Sequence, residues 1–134
     1  MNETQTSTSR TTRKKRAEFA PLVSLINEAL LEKKAEKVRV LDVSKLTTLT
    51  DYFIVCQGGS DTQIRALANN VTEKIKEQTG EHVWRKEGLE NKKWVVLDYV
   101  DVVVHIFNEE TRDFYALEKM WNDAEITDIQ DEKA

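Results

Sequence analysis

Residues 94–107, WVVLDYVDVVVHIF, are the stretch of this sequence that decides the fold. Two apolar runs flank a polar break at residues 98–101, a pattern that predicts two adjacent β-strands joined as a hairpin. In the second run, residues 102–107, apolar side chains occupy both alternating sets of positions. A strand with two apolar faces is covered on both sides. We therefore predict that the second run is a central strand of the sheet.

Length and composition favour a single intracellular domain. The chain has 134 residues and one cysteine, Cys56, which has no partner for an internal disulfide. A chain of this length buries a core without disulfides or metal ions, and a lone cysteine fits a reducing compartment. No apolar run reaches the length of a membrane span, and no signal peptide is visible. We expect a cytoplasmic protein without membrane contact.

Charge divides the chain into a basic start and an acidic body. Residues 1–16 carry five basic groups against Glu3, whereas the remainder carries 15 basic and 23 acidic residues. Residues 1–16 also lack any apolar side chain after Met1, so we expect a disordered basic tail. The tail is either a solubilising segment, which its composition favours, or a nucleic-acid contact. The acidic body is a poor phosphate binder and suits a basic protein surface.

The other apolar patterns predict helices packed on one mixed sheet. Ser60 and Gln63 form a capping box for one helix, and Gly80 ends it. Asn108 caps a final helix. The fold class is α/β (α+β), with about five strands in a single sheet and the order α-β-β-α-β-β-β-α. The expected bounds are a helix at 21–34, strands at 38–43, 52–56 and 82–86, a basic tail at 1–16, a single domain at 17–122 and an acidic, frayed C-terminal tail at 123–134.

Few side chains suit catalysis or metal binding. His105 lies inside an apolar strand, where a packed, hydrogen-bonded imidazole is the favoured interpretation over a general base. Cys56 lies in a second apolar strand and is interpreted as core. Asp98 and Asp101 are candidates for binding a cation, although aspartate is also typical of turns, and we favour the turn. Ligand spacings such as C-x-x-C and H-E-x-x-H are absent. We predict no catalytic residue, no cofactor and no metal.

Gly59-Ser60, between a strand and a helix, is a further candidate, because a helix start at such a turn binds anions. The phosphate-binding patterns G-x-x-x-x-G-K-[ST] and G-x-G-x-x-G are both absent. A simple turn with a helix cap is therefore the favoured interpretation.

Three segments together resemble the ribosomal silencing factor family, also called iojap-related. They are LDVSKLTTLTDYFIVCQGGSDTQIRALANNV (41–71), EGLENKKWVVLDYVDVVVHIF (87–107) and ETRDFYALEKMWNDA (110–124). The resemblance extends from about Val38 to Ala124. One position departs from the family pattern, because Val100 stands where the family usually has glycine, and a β-branched residue disfavours positive φ.

The resemblance implies a translational repressor that is not an enzyme. The family binds the large ribosomal subunit through its fourteenth-series ribosomal protein and sterically blocks joining of the small subunit. The family fold is similar to that of nucleotidyltransferases, which carry a metal-binding D-x-D pair in the strand after the Gly-Ser turn. This chain has no such pair in residues 82–86. The alternatives are a divergent enzyme of that fold and a nucleic-acid-binding ribosome assembly adaptor whose basic tail contacts rRNA. Monomer and homodimer both remain open.

The acidic body and the hairpin suggest where a basic partner would bind. Tryptophan and tyrosine are enriched at the energetic centres of interfaces. For Phe107, interface and core remain equally open, and Tyr99 is expected at the rim of the hairpin. The predicted partner-binding residues are Trp94, Tyr99 and Phe107 as aromatic anchors, with Asp98, Asp101 and Glu87 facing basic side chains.

Overall fold

The computed structural model of the protein describes residues 20–129. The predicted basic tail at 1–16 lies outside these residues, as does its proposed contact with rRNA. In chain order the elements are α1 (Pro21–Glu32), β1 (Glu36–Asp42), β2 (Tyr52–Gly58), α2 (Asp61–Thr79), β3 (Arg85–Glu87), β4 (Trp94–Asp98), β5 (Val102–Asn108), α3 (Glu109–Tyr115), α4 (Leu117–Met120) and β6 (Glu125–Ile129).

The strands form one six-stranded mixed sheet in the order β3-β4-β5-β2-β1-β6. β5 and β2 are parallel, with α2 in the connection between them, and the other neighbouring pairs are antiparallel. The predicted hairpin is confirmed, because β4 pairs with β5 from Trp94↔Phe107 to Asp98↔Val103. The prediction of β5 as a central strand is confirmed as well. The mixed fold class is therefore correct, and residues 20–129 contain six strands rather than about five.

One face of the sheet is covered by α1 and α2, and it holds the main core. Strand positions facing these helices are fully buried, as Val40, Ile54, Val104 and Leu97 show along one row of the sheet. The two helices contribute the apolar side chains expected from their helical spacing, among them Val23, Ile26, Leu30, Ile64, Leu67, Val71 and Ile75. This packing leaves the opposite face of the sheet free for other contacts.

Three predicted helix ends agree with the structure, whereas α1 ends at Glu32, two residues before the predicted position 34. The Ser60 hydroxyl accepts a hydrogen bond of 3.1 Å from the Gln63 backbone N–H, and Gly80 ends α2 with a φ of 79°. In a capping box, the residue at Gln63 would accept a reciprocal hydrogen bond from the Ser60 N–H. Here the Gln63 side-chain oxygen instead accepts from the N–H of the preceding residue, Gly59, at 2.7 Å. The Asn108 side chain likewise accepts from the Thr111 N–H at 2.8 Å.

The C-terminal segment differs from its prediction in two respects. The single final helix is broken into α3 and α4 by Ala116, which has a φ of 47°. The interpretation of residues 123–134 as a frayed tail is wrong at 125–129, where β6 pairs along β1. Thr127 is buried there, and Asp128 accepts a 2.7 Å hydrogen bond from Arg39. Cross-strand pairing and this ion pair stabilise a segment whose acidic composition suggested disorder. The strand predicted at 82–86 is also shorter and later, at Arg85–Glu87.

Buried Arg112 joins the C-terminal segment to the sheet. Its guanidinium donates to Glu118 at 2.6 and 3.2 Å, to the Lys37 carbonyl at 2.9 Å and to the Gln57 side-chain oxygen at 3.2 Å. A guanidinium offers five donors in a rigid plane, so it can connect several elements at once. Arg112 therefore fixes α3 and α4 over one end of the face that α1 and α2 leave open.

Candidate protein-binding surface

The open face is the side of the sheet that lies away from α1 and α2. Its rows follow from the strand register: Trp94 lies beside Phe107, Val96 beside His105, and Asp98 beside Val103. The half-buried Trp94, Val96, Asp98 and Val103 remain accessible on this face. α3 and α4 cover another part of it, where a smaller apolar cluster is built from Leu41, Val55, Phe107 and Leu117. An incompletely covered sheet face is suited to binding another protein.

Trp94 is the centre of an aromatic cluster on the open face. Its ring stacks on Phe107 with a centroid distance of 4.9 Å and contacts Tyr115 at 4.8 Å. Its indole Nε1 donates a hydrogen bond of 3.0 Å to His105 Nδ1. The structure thus holds Trp94 in one orientation, with an accessible edge. Phe107 is completely buried beneath it, so the interface alternative for Phe107 is wrong and the core alternative is confirmed.

His105 is the packed, hydrogen-bonded imidazole that the sequence predicts. Burial lowers the pKa of His105 to about 4, so the ring is neutral at pH 7. With Nδ1 accepting from Trp94, the ring proton belongs on Nε2. Nε2 is buried and has no hydrogen-bond partner among the described residues. His105 therefore stabilises the aromatic cluster and is sealed from any partner.

Tyr99 is not at the rim of the surface. It is only 6% exposed and packs in the core with α1 and α2, on the same side as Leu97. Burial raises the pKa of its hydroxyl to about 12. Strand alternation continues one residue past β4 because the Tyr99 N–H donates to the Val102 carbonyl at 2.8 Å. The side chain consequently turns toward the helices, and the prediction of Tyr99 as a contact residue is wrong.

The three predicted acidic residues do lie at the surface. Asp98 is half-buried on the open face, Asp101 is exposed in the hairpin turn, and Glu87 is exposed on the edge strand β3. The Glu87 carboxylate oxygen Oε2 lies 3.7 Å from Arg85 Nη1 and forms an ion pair with it. One Asp98 carboxylate oxygen accepts a 2.7 Å hydrogen bond from the Val100 N–H, which confirms the role of Asp98 in a turn. Their use in binding a partner stays a prediction.

An apolar groove of about 480 Å³ lies beside the hairpin turn, and the sequence did not indicate it. Leu49, Trp84 and Val100 all line it with large exposed fractions of 85%, 63% and 53%. The only acidic group in its lining is Asp98. The complete lining is Thr47, Leu49, Thr50, Phe53, Trp84, Asp98, Val100, Val103 and Trp121. These residues come from separate loops and strands, so no local pattern could have brought them together.

The candidates for chemistry have structural roles within residues 20–129. Cys56 is fully buried, and burial raises the pKa of its thiol to about 12, so it is not a reactive thiolate. In that part of the chain, no group of three or more histidine, cysteine, aspartate or glutamate side chains is placed to hold a metal ion. Nor does any helix described there have the length and apolar character needed to span a membrane.

Comparison with known proteins places the chain among translation regulators. A family model described as "Ribosomal silencing factor during starvation" matches residues 15–134. The chain belongs to this family. The ribosomal silencing factor of Halalkalibacterium halodurans is 37% identical over 109 residues, which cover 81% of this chain and 92% of that protein. Relatives in this family are named for silencing ribosomes, which is a regulatory role.

A solved structure and a more distant relative extend the comparison. The crystal structure of a Chromobacterium violaceum protein aligns with a TM-score of 0.73 at 40% identity, covering 75% of this chain and 83% of that one. A mouse protein named "Mitochondrial assembly of ribosomal large subunit protein 1" is 26% identical over 102 residues, which cover 74% of this chain and 44% of that protein. The ribosomal silencing factor family therefore shares this mixed fold.

Proposed function

We propose that this protein is a cytoplasmic translational repressor, without catalytic activity, that binds the large ribosomal subunit and blocks its joining with the small subunit. The contact is made with the fourteenth-series ribosomal protein of that subunit. The family match over residues 15–134 carries this proposal. The name of the mouse relative, which refers to the large ribosomal subunit, adds support for that subunit as the partner.

The proposed contact is the open face of the sheet beside the hairpin turn. Its groove supplies apolar area, and Asp98 and Asp101 supply negative charge at the same place. Ribosomal proteins are basic because they neutralise RNA, so an acidic, partly apolar surface is complementary to them. The repression is steric: a folded body held on the joining surface excludes the other subunit, and no bond needs to change.

The nucleotidyltransferase alternative loses its motivating feature. Gly59 and Ser60 are engaged with Gln63 as the cap of α2, so the Gly-Ser turn has a structural use. Helix capping of this kind accounts for the motif without a nucleotide. An assembly adaptor is the second candidate, favoured by the name of the mouse relative. It acts on the same subunit at an earlier stage.

Sedimentation with purified subunits tests the proposal. The protein should travel with large subunits and not with small ones, and it should reduce the formation of whole ribosomes when both are mixed. Protein that travels with neither subunit would contradict the proposal. If it binds only immature large subunits from assembly-arrested cells, the adaptor is correct instead.

Two charge reversals locate the contact. Asp101→Lys places a positive charge at the hairpin turn, whereas Glu73→Lys makes the same change at an exposed position of α2 on the other side of the sheet. We expect Asp101→Lys to weaken binding to large subunits at least tenfold and Glu73→Lys to leave it unchanged. The reverse result would place the contact on the helices.

A further inference from the structure

The groove beside the hairpin turn exposes apolar surface that does nothing for the fold. Leu49, Trp84 and Val100 keep 85%, 63% and 53% of their surfaces accessible, and all three line this one cavity. Isolated exposed apolar residues are common, but their convergence on one concave site marks a place where another molecule binds. Trp84 is held beside the groove by the Arg85 guanidinium, which lies 4.6 Å from its ring centroid.

Val100 adds backbone strain to this exposure. Its φ is 75°, in the left-handed region that β-branched residues rarely adopt. The hydrogen bond from its N–H to Asp98 helps to hold the turn in this conformation. Glycine would adopt the same turn without strain. The valine side chain gains no burial in return, since it is more than half exposed at the groove. Strain without a packing benefit points to function.

The rim of the groove carries three carboxylates and, among the described residues, one nearby basic group, Arg85, which pairs with Asp98 in the strand register and lies over the Trp84 ring. The Asp51 N–H donates to the Asp101 carbonyl at 3.0 Å, which places two exposed aspartates on adjacent backbone next to Thr50 and Val100 of the lining. The ion pairs within residues 20–129 involve other carboxylates, and none includes Asp51, Asp98 or Asp101. These carboxylates outnumber Arg85, which forms its ion pair with Glu87, so the rim keeps a net negative charge that an external cation can meet.

We propose that this groove is the anchor site for a lysine- and arginine-rich protein segment. An apolar side chain of the segment enters between Leu49, Trp84 and Val100, and its flanking basic groups meet Asp98 and Asp101. Val100 determines the fit of the anchor, because its side chain forms one wall. The inference rests on the proposed function in taking a large-subunit protein as the source of the segment.

Val100→Gly separates a binding role from a structural one. Glycine relieves the strained φ, so the melting temperature should rise, while loss of the groove wall should weaken binding to large subunits at least fivefold. Lys34→Gly is the matched control, because Lys34 also has a positive φ, of 67°, and lies at the end of α1. It should raise the melting temperature without changing the affinity. If Val100→Gly binds as tightly as the unaltered protein, the inference is overturned.

Paired truncations and a charge removal complete the experiment. Trp84→Ala should weaken subunit binding at least tenfold, whereas Phe114→Ala, at a residue that is 79% exposed on α3, should not. Asp98→Asn keeps an acceptor for the Val100 N–H and removes the charge, so its loss of affinity should be large at low salt and small at high salt. Equal binding by all groove variants would overturn the groove assignment alone. An unaltered protein that never binds large subunits would overturn the proposed function together with it.

Discussion

Trp94 and His105 are joined across the β4–β5 hairpin by a hydrogen bond of 3.0 Å from indole Nε1 to imidazole Nδ1. The bond needs a neutral imidazole, since a protonated ring has no acceptor. It therefore links the orientation of the most central aromatic side chain on the open face to the protonation state of a buried histidine.

Acid should destabilise the protein through His105. Its pKa falls from an unfolded value of 6.5 to about 4 in the folded protein, so between these values the unfolded chain binds more protons. The stabilisation is complete above pH 6.5 and is lost as the pH falls toward 4, by roughly 3 kcal/mol in total. Denaturant unfolding of the protein and of His105→Gln at several pH values measures how much His105 contributes to the pH dependence of the unfolding free energy.

The glutamine variant is the control for other acid-sensitive groups, because glutamine can accept the indole hydrogen bond and does not titrate. The difference in unfolding free energy between the two proteins should therefore shrink or reverse as the pH falls from 7 to 4. A difference that stays constant over this range would show that the imidazole is not held neutral.

Tyr99→Phe should leave the stability unchanged or raise it by up to about 1 kcal/mol, because the buried hydroxyl has no hydrogen-bond partner among the described residues. Tyr99→Ala should instead cost about 3 to 5 kcal/mol by opening a cavity. Chemical denaturation of both variants measures these effects. A loss above 1 kcal/mol in the phenylalanine variant would reveal a hydrogen bond to this hydroxyl.

The sheet could be predicted largely from local patterns. The alternation in residues 94–107 specified a hairpin and a central strand, and Ser60, Gly80 and Asn108 marked helix ends by their chemistry. Tyr99 was misplaced because a tyrosine after a strand resembles a rim residue, whereas the tight turn continues the alternation and buries it.

The binding surface could not be predicted in the same way. Leu49, Trp84 and Trp121 come from different segments and meet only through the strand order. The burial of Arg112 depends on Lys37 and Gln57, which are distant from it in sequence, so no pattern within α3 indicates it. Such contacts are set by tertiary packing, which a local pattern does not encode.

Arg112→Met should destabilise the protein by about 3 kcal/mol. The change removes the 2.6 Å partner of Glu118, whose side chain is only 17% exposed, and leaves it the longer contact of 3.9 Å to Arg39 Nη1; a poorly compensated, largely buried charge is costly. Denaturant unfolding measures the loss. Adding Glu118→Gln to this variant should restore at least half of the lost stability, because it removes the poorly compensated charge. An additive loss in the double variant would show that the broken ion pair does not cause the destabilisation of Arg112→Met.

The last prediction concerns β6, the strand within the segment first interpreted as a tail. A protein ending at Ala124 loses the pairing of β6 with β1, the buried Thr127 and the Asp128 partner of Arg39. It should be less stable by about 3 kcal/mol, on the scale of one or two lost buried side chains. It should also aggregate, because β1 becomes an unprotected edge. A protein ending at Ile129 is the matched control, and it should melt like the full chain. If the shorter protein keeps both the stability and the sedimentation behaviour of the control, β6 contributes nothing to the fold and the interpretation of this segment as a tail is correct.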